Sequence, residues 1–198
     1  MSGKERKGER TRRRILAAAL HVFARYGYER STIRAIAAEA ECDKSSVIQY
    51  FGTKQQLFRE AVDWQADLAT SPELAPEERG EGYLRTMLGE FANDPDHPMV
   101  ALTRAALTNE EVAELLREKV TSGAIDPMAA TLTGPDAQLR AALVGAVMYG
   151  IAVQRELLRM PDLAGADVED VLRLTGPLLR SLLATPDAST DDEGAARG

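Results

Sequence analysis

The chain has 198 residues, 44% of them hydrophobic and 28% charged, with a formal net charge of −7 and one cysteine. That length can bury a real core unaided, and a lone Cys42 excludes a disulfide framework or a thiolate metal cluster, so Cys42 reads as a small buried hydrophobe. The basic start MSGKERKGERTRRR passes into a helical pattern, and no uninterrupted apolar run reaches the ~18 residues of a membrane span, so the expectation is a cytoplasmic protein with no membrane partner.

The net charge hides an asymmetry. Residues 1–54 carry twelve Lys or Arg against six Asp or Glu, a balance of +6, which leaves −13 on the remainder. A basic end on an acidic body suits a first segment that meets a polyanion, although a solvated basic helix start gives the same count.

The periodicity is helical throughout, which makes the fold class all-α. From Thr11 to Tyr26, Ile15, Ala19 and Phe23 recur at i, i+4, i+8, and Gly27 ends the helix. Ser31 or Thr32 can cap a short second helix carrying Ile33, Ile36, Ala37 and Ala40. Asp43 can cap a third, with Val47, Tyr50 and Phe51 on one face and Lys44, Ser45, Ile48 and Gln49 on the other. Thr53 and Gln56 form a capping box for a fourth, expected to run to about Ala69. TSPELAPEERGEG, residues 70–82, reads as a loop or the start of the next helix. Further helices are expected at about 83–93, 97–107 and 109–122, with a shorter piece at 126–132.

Two later segments carry a different spacing. Leu139, Leu143, Ala146, Gly150, Val153 and Leu157 step by four and three, as do Val168, Leu172, Thr175, Leu179 and Leu182. Two such seams on the last elements suggest a four-helix arrangement shared by two chains, a homodimer. Gly176 and Pro177 should kink or interrupt the second. Residues 185–198 carry no apolar side chain larger than alanine or proline and should be disordered.

Helices two and three, joined by Glu41 to Asp43, have the length and turn of a helix-turn-helix, whose second helix enters the major groove of double-stranded DNA. Its residue types suit that task. Lys44 can meet a phosphate or guanine, Ser45 and Ser46 can donate to phosphates, Gln49 can grip adenine, and Ile48 can touch a thymine methyl. Tyr50, Lys54, Thr32 and Arg34 would lie toward the backbone. Taken alone, an ordinary short amphipathic helix explains these residues equally well. No catalytic constellation is apparent: His21 and His97 are the only histidines, and Asp94, Asp96 and His97 within DPDHP read as a proline-bounded turn rather than a metal site. The chain therefore reads as no enzyme, with no cofactor.

From Thr11 to about Phe58 the chain resembles the tetracycline-repressor (TetR) family of bacterial transcription regulators, in TRRRILAAALHVFARYGY, STIRAIAAEAECDKSSVIQYF and GTKQQLF. By that resemblance Ser46, Tyr50 and Lys54 contact phosphates, and Lys44, Ser45 and Gln49 read bases. It departs from the family's usual glycine at 41, small β-branched residue at 42 and aromatic at 48, where it has Glu41, Cys42 and Ile48.

The resemblance implies an N-terminal three-helix DNA-binding domain, 1–53, a C-terminal helical ligand-binding and dimerisation domain, 54–184, and a tail, 185–198. It also implies a repressor that binds a near-palindromic operator as a homodimer and is released by a small-molecule effector. The alternative is a helical ligand-sensing or interaction protein without specific DNA binding. Large or polar groups among small aliphatics make Trp64, Met87, Phe91, Met99, Arg104, Met128, Met148, Tyr149 and Gln154 the candidate ligand contacts.

Overall fold

A computed structural model of the chain describes residues 7–63, 75–94 and 96–184. All regular structure among them is helical: α1 (Lys7–Tyr26), α2 (Ile33–Glu39), α3 (Lys44–Phe51), α4 (Lys54–Ala61), α5 (Pro76–Asn93), α6 (Pro98–Ala106), α7 (Glu110–Val120), α8 (Asp126–Ala129), α9 (Ala137–Ala152), α10 (Pro161–Ala164) and α11 (Val168–Leu183). Widened turns at Thr121–Ile125 and Val153–Leu157 continue α7 into α8 and extend α9. α1 starts a turn earlier than expected. The expected course of α4 beyond residue 63, most of the 70–82 segment and the 185–198 tail lie outside the described residues.

Packing divides the chain into two units, Met1–Gln65 with Glu90–Lys119, and Ala66–Gly89 with Val120–Gly198. The division does not coincide with the expected boundary after residue 53. Helix α4 stays with α1 because Leu57 and Phe58 are buried and Phe58 meets Phe23 edge to face at 4.9 Å. Helix α6 packs against α1 too, and Arg104 from α6 donates to the Ala24 carbonyl near the end of α1.

In the first unit, the DPDHP turn is held by its own polar groups. Asp94 accepts from the Asp96 N–H at 3.1 Å, and Asp96 meets His21 Nδ1 at 2.7 Å. His97 is buried, stacks on Phe91 at 4.7 Å, and caps α6 by accepting the Met99 N–H on Nδ1 at 3.3 Å.

The second unit buries Tyr83, Leu84 and Leu88 of α5 with Ala141, Val144 and Met148 of α9 and Val171, Leu172, Leu179 and Leu183 of α11. A Cβ on Gly80 would lie 2.9 Å from the Leu179 Cβ, and one on Gly176 would run into Glu81, so these two glycines set how closely α5 meets α11. Arg140 of α9 donates to the Leu182 carbonyl at 3.3 Å and to that of Ala184, tying the start of α9 to the end of α11. Helix α11 is not interrupted at Pro177, contrary to one of the two outcomes expected; the proline ring is exposed on the helix surface, and the helix continues past it without the backbone bond that its missing N–H would make to the Arg173 carbonyl.

The α11 seam requires correction. Leu172 and Leu179 are 2% and 0% exposed within the chain's own core, and Val168 and Leu182 pack against that core. The Thr175 hydroxyl is taken up by the Val171 carbonyl at 2.7 Å. The apolar side chains that α11 leaves outside are Leu174 and Leu178, 70% and 50% exposed. On α9 the first half of the expected seam is exposed, Leu139 at 60%, Leu143 at 44% and Ala146 beside them, while Gly150, Val153 and Leu157 are half-buried.

Burial lowers the His97 pKa from its ordinary value, with Asp94 opposing, while Glu90 sits 3.8 Å from its other nitrogen. The fold therefore favours neutral imidazole, which the cap requires, and this contribution is present above the unfolded-state pKa and lost as pH falls below it. Thermal unfolding should occur at a lower temperature at about pH 5 than at about pH 7. His97→Asn, which can still cap but does not titrate, should narrow that difference.

Candidate nucleic-acid interface

Helix α2 begins at Thr32, whose backbone is extended and whose Oγ1 accepts the Ala35 N–H at 3.1 Å. The buried Ser31 donates to the Gly27 carbonyl at 2.6 Å, tying the loop to the end of α1. The end of α2 is a Schellman turn: the Cys42 N–H reaches the Ala37 carbonyl at 2.9 Å and the Glu41 N–H that of Ala38 at 3.1 Å. Such a turn needs a left-handed residue, and Glu41 supplies it at φ 49°. A side chain there costs about 1–2 kcal/mol relative to glycine. Arg14 of α1 steadies the turn by donating to the Glu41 carbonyl at 3.2 Å. Burial pushes the thiol pKa of the half-buried Cys42 up, with Arg14 opposing.

Asp43 occupies the cap position of α3, but its side chain makes no cap bond; its backbone carbonyl accepts the Ser46 N–H at 2.9 Å. Val47 and Phe51 are the buried face of α3. Lys44, Ser45 and Gln49 are exposed, Ser46 half-buried, and Ile48 is an apolar side chain 45% exposed on the same outer face. Tyr50 belongs to the rim rather than the inner face, 37% exposed, with its hydroxyl beside the first turn of α1 at Gly8. Arg12 lies over the Phe51 ring at 5.2 Å and pairs with Glu60 of α4.

Helix α3 ends at Gly52, at φ 71° and ψ −84°, where the Thr53 N–H turns back to the Phe51 carbonyl at 2.9 Å, a γ-turn that L side chains rarely adopt. The capping box follows: Thr53 Oγ1 accepts the Gln56 N–H at 3.1 Å and Gln56 Oε1 accepts the Thr53 N–H at 3.1 Å. A Cβ on Gly52 would sit 2.5 Å from that Gln56 oxygen.

Lys54 opens α4, half-buried, with its ammonium 4.2 Å above the Tyr28 ring and 3.5 Å from the Glu29 carbonyl. Tyr28 meets Phe58 edge to face at 4.9 Å; burial raises its hydroxyl pKa, with Glu29 and Glu111 adding to the shift. Arg34 stands exposed near the start of α2. The structure thus gathers Thr32, Arg34, Lys44, Ser45, Ser46, Ile48, Gln49, Tyr50 and Lys54 on α2, α3 and the start of α4. Sequence reasoning offered Arg12 to Arg14 as phosphate or minor-groove contacts and did not foresee Arg14 on the Glu41 carbonyl; it missed Tyr28 and the α7 residues behind Lys54, because each acts through a contact distant in sequence.

The candidate ligand contacts are divided between the two units. Phe91, Met99 and Arg104 belong to the first unit, with Phe91 and Met99 buried; Met87, Met128, Met148, Tyr149 and Gln154 belong to the second, where Met128 and Met148 fill the core and Gln154 is exposed. Trp64 lies outside the described residues. Arg104 also lines an open cleft of about 450 Å³ with Arg25, Tyr26, Tyr28, Arg30 and Thr108.

Two short helices joined through a left-handed turn, the second buried on one side and polar on the other, define a helix-turn-helix protein. Residues 15–61 match the family described as bacterial regulatory proteins, tetR family, and residues 77–183 match the tetracyclin repressor-like C-terminal domain. The chain belongs to the TetR family. It is 36% identical over 92 residues to an HTH-type transcriptional repressor of Streptomyces coelicolor, a match spanning 46% of this chain and about half, 47%, of that repressor. It is 29% identical over 180 residues to the DNA-binding transcriptional repressor TetR of Mycobacteroides abscessus, 87% of each chain. A crystal structure of a TetR-family regulator from Streptomyces coelicolor superposes with a TM-score of 0.60 at 29% identity, covering 91% of this chain and 99% of that one.

The two left-handed positions should respond oppositely to substitution. Glu41→Gly should raise the urea midpoint, by up to about 1 kcal/mol of stability, because it relieves the turn while glycine's extra freedom in the unfolded chain offsets part of that gain. Gly52→Ala should lower it by about 1–2 kcal/mol or more, since the Cβ strains the γ-turn and displaces the capping glutamine.

Proposed function

We propose that this chain is a DNA-binding transcriptional regulator, a cytoplasmic homodimeric repressor released from a near-palindromic operator by a small-molecule effector. The observation that carries the reading is the two-sided α3. Val47 and Phe51 fix its inner face, while Lys44, Ser45, Ile48 and Gln49 stand together on its outer face with no core to fill. Lys44 and Gln49 supply donors for guanine or adenine edges, and Ile48 an apolar surface for a thymine methyl. Ser46, Tyr50, Lys54, Thr32 and Arg34 rim this face and suit backbone phosphates. The +6 balance of residues 1–54 supplies the long-range attraction.

Dimerisation draws support from α9, which is apolar on both sides. Its inner side is buried with Ala141, Val144 and Met148, yet Leu139, Leu143 and Ala146 remain outside. Ala137–Leu157 is long and apolar enough to cross a membrane by length and composition, with only 28% of its apolar window buried. A helix that pairs with a second copy has the same composition, and Leu174 and Leu178 of α11 add apolar surface that a partner can cover. The effector acts by favouring a state in which the two recognition helices no longer sit one DNA turn apart, which requires it to discriminate between the states by about 5 kcal/mol.

Anisotropy titrations of DNA from upstream of the chain's own gene, at several salt concentrations, test the reading. Affinity should fall steeply with salt. Lys54→Ala should weaken binding alike on all sequences, whereas Gln49→Ala should shift base preference, losing about 1–3 kcal/mol of discrimination at one position. Unchanged affinity and selectivity in Gln49→Ala would remove the base-reading assignment. Leu143→Asp should yield monomers in sedimentation and lose operator binding with them.

A further inference from the structure

We infer that Asn109, at the start of α7, is a positioning residue for the DNA contact of Lys54, acting through Glu29 and the loop that carries Tyr28. The inference rests on the DNA-binding reading above and concerns how that edge is held.

The side chain of Asn109 works in two directions. Its Oδ1 accepts the Val112 N–H at 3.1 Å, which caps α7, and its Nδ2 donates to Glu29 Oε1 at 3.0 Å in the α1–α2 loop. Reversing the amide would set oxygen against carboxylate and NH2 against N–H, so the chemistry of the two partners assigns the orientation. Glu29 then presents its backbone carbonyl to the Lys54 ammonium at 3.5 Å, beside the Tyr28 ring that carries the same ammonium at 4.2 Å. Two residues beyond Asn109, Glu111 accepts from Gln55, the neighbour of Lys54 on α4. The first turn of α7 thus grips Lys54 from both sides, through the loop on which its ammonium rests and through the helix from which it springs.

These residues all lie within the first packing unit. The grip is by direct contact: Asn109 on Glu29, Gln55 on Glu111, and Lys54 on the Glu29 carbonyl. Asn109 and Glu111 fall within the segment matching the C-terminal domain, and Lys54 within the segment matching the DNA-binding domain. A long, flexible lysine gains in affinity when its ammonium is held near its bound position before DNA arrives, because less freedom is lost on binding.

Asn109→Asp is the informative substitution. Aspartate caps a helix as well as asparagine does, so α7 keeps its start, but a carboxylate now faces the Glu29 carboxylate and the loop is pushed away. Adding Glu29→Gln restores a donor–acceptor pair with its polarity reversed. The full-length chain, Asn109→Asp, Asn109→Asp with Glu29→Gln, Lys54→Ala, and Lys54→Ala with Asn109→Asp are titrated onto a short fluorescent duplex of arbitrary sequence between about 50 and 200 mM KCl. Asn109→Asp should weaken binding about threefold to tenfold and reduce the logarithmic salt slope by about 0.9 per protomer, the loss of one phosphate contact. Glu29→Gln should restore both, and Asn109→Asp should have no further effect once Lys54 is alanine. An unchanged salt slope in Asn109→Asp, a loss that persists in the Lys54→Ala background, or a loss and lowered melting temperature that Glu29→Gln does not repair would overturn the inference. Failure of the unaltered chain to bind any duplex would instead overturn the DNA-binding reading itself.

Discussion

Helix α3 has eight residues, fewer than an isolated helix needs to hold its shape in water, so its neighbours must hold it. Val47 and Phe51 anchor it from inside, and Arg12 covers the Phe51 ring from above. At each end the chain takes a left-handed residue, Glu41 before it and Gly52 after it. Those turns fix the direction in which Lys44, Ile48 and Gln49 point, and every functional statement about the outer face depends on them. Glycine suits such a position, and Gly52 meets that need; Glu41 does not, and Arg14 supports its carbonyl from α1.

The second unit works under a different constraint. Helix α9 packs against α8 and α11 and shares the core with α5, yet it still leaves apolar side chains outside that core. The residues left outside are leucines and small side chains, which let helices approach closely. A dimeric protein whose reading helices must be held a fixed distance apart needs such a surface on a rigid element, and α9 with α11 is the longest packed pair in that unit.

Much of this was legible from the sequence, for reasons that differ by element. The caps at Thr32 and Thr53 and the stop at Gly27 are local chemistry, written in one or two residues, and they hold in the structure. The inner and outer faces of α3 follow from spacing, with Tyr50 displaced to the rim because it lies at the edge of the buried arc. The α11 seam misled because a period of 3.5 identifies an apolar stripe without saying what covers it. Helix α11 carries two stripes, and the regular one through Leu172 and Leu179 fills the chain's own core, leaving Leu174 and Leu178 outside. The setting of Lys54 was illegible for another reason: its partners Tyr28, Glu29 and, behind them, Asn109 are brought together only by folding. The grouping of α6 and α7 with the reading head likewise depends on contacts between segments some eighty residues apart, such as Arg104 with the end of α1.

Selection of bound duplexes from a random-sequence pool by the purified chain tests the central claim most directly. A dimer reading DNA through α3 should enrich one near-palindromic sequence, with two half-sites related by two-fold symmetry and separated by about one helical turn, roughly 10 base pairs, or a multiple of it. Enrichment of no sequence, or of an asymmetric single site, would contradict the account.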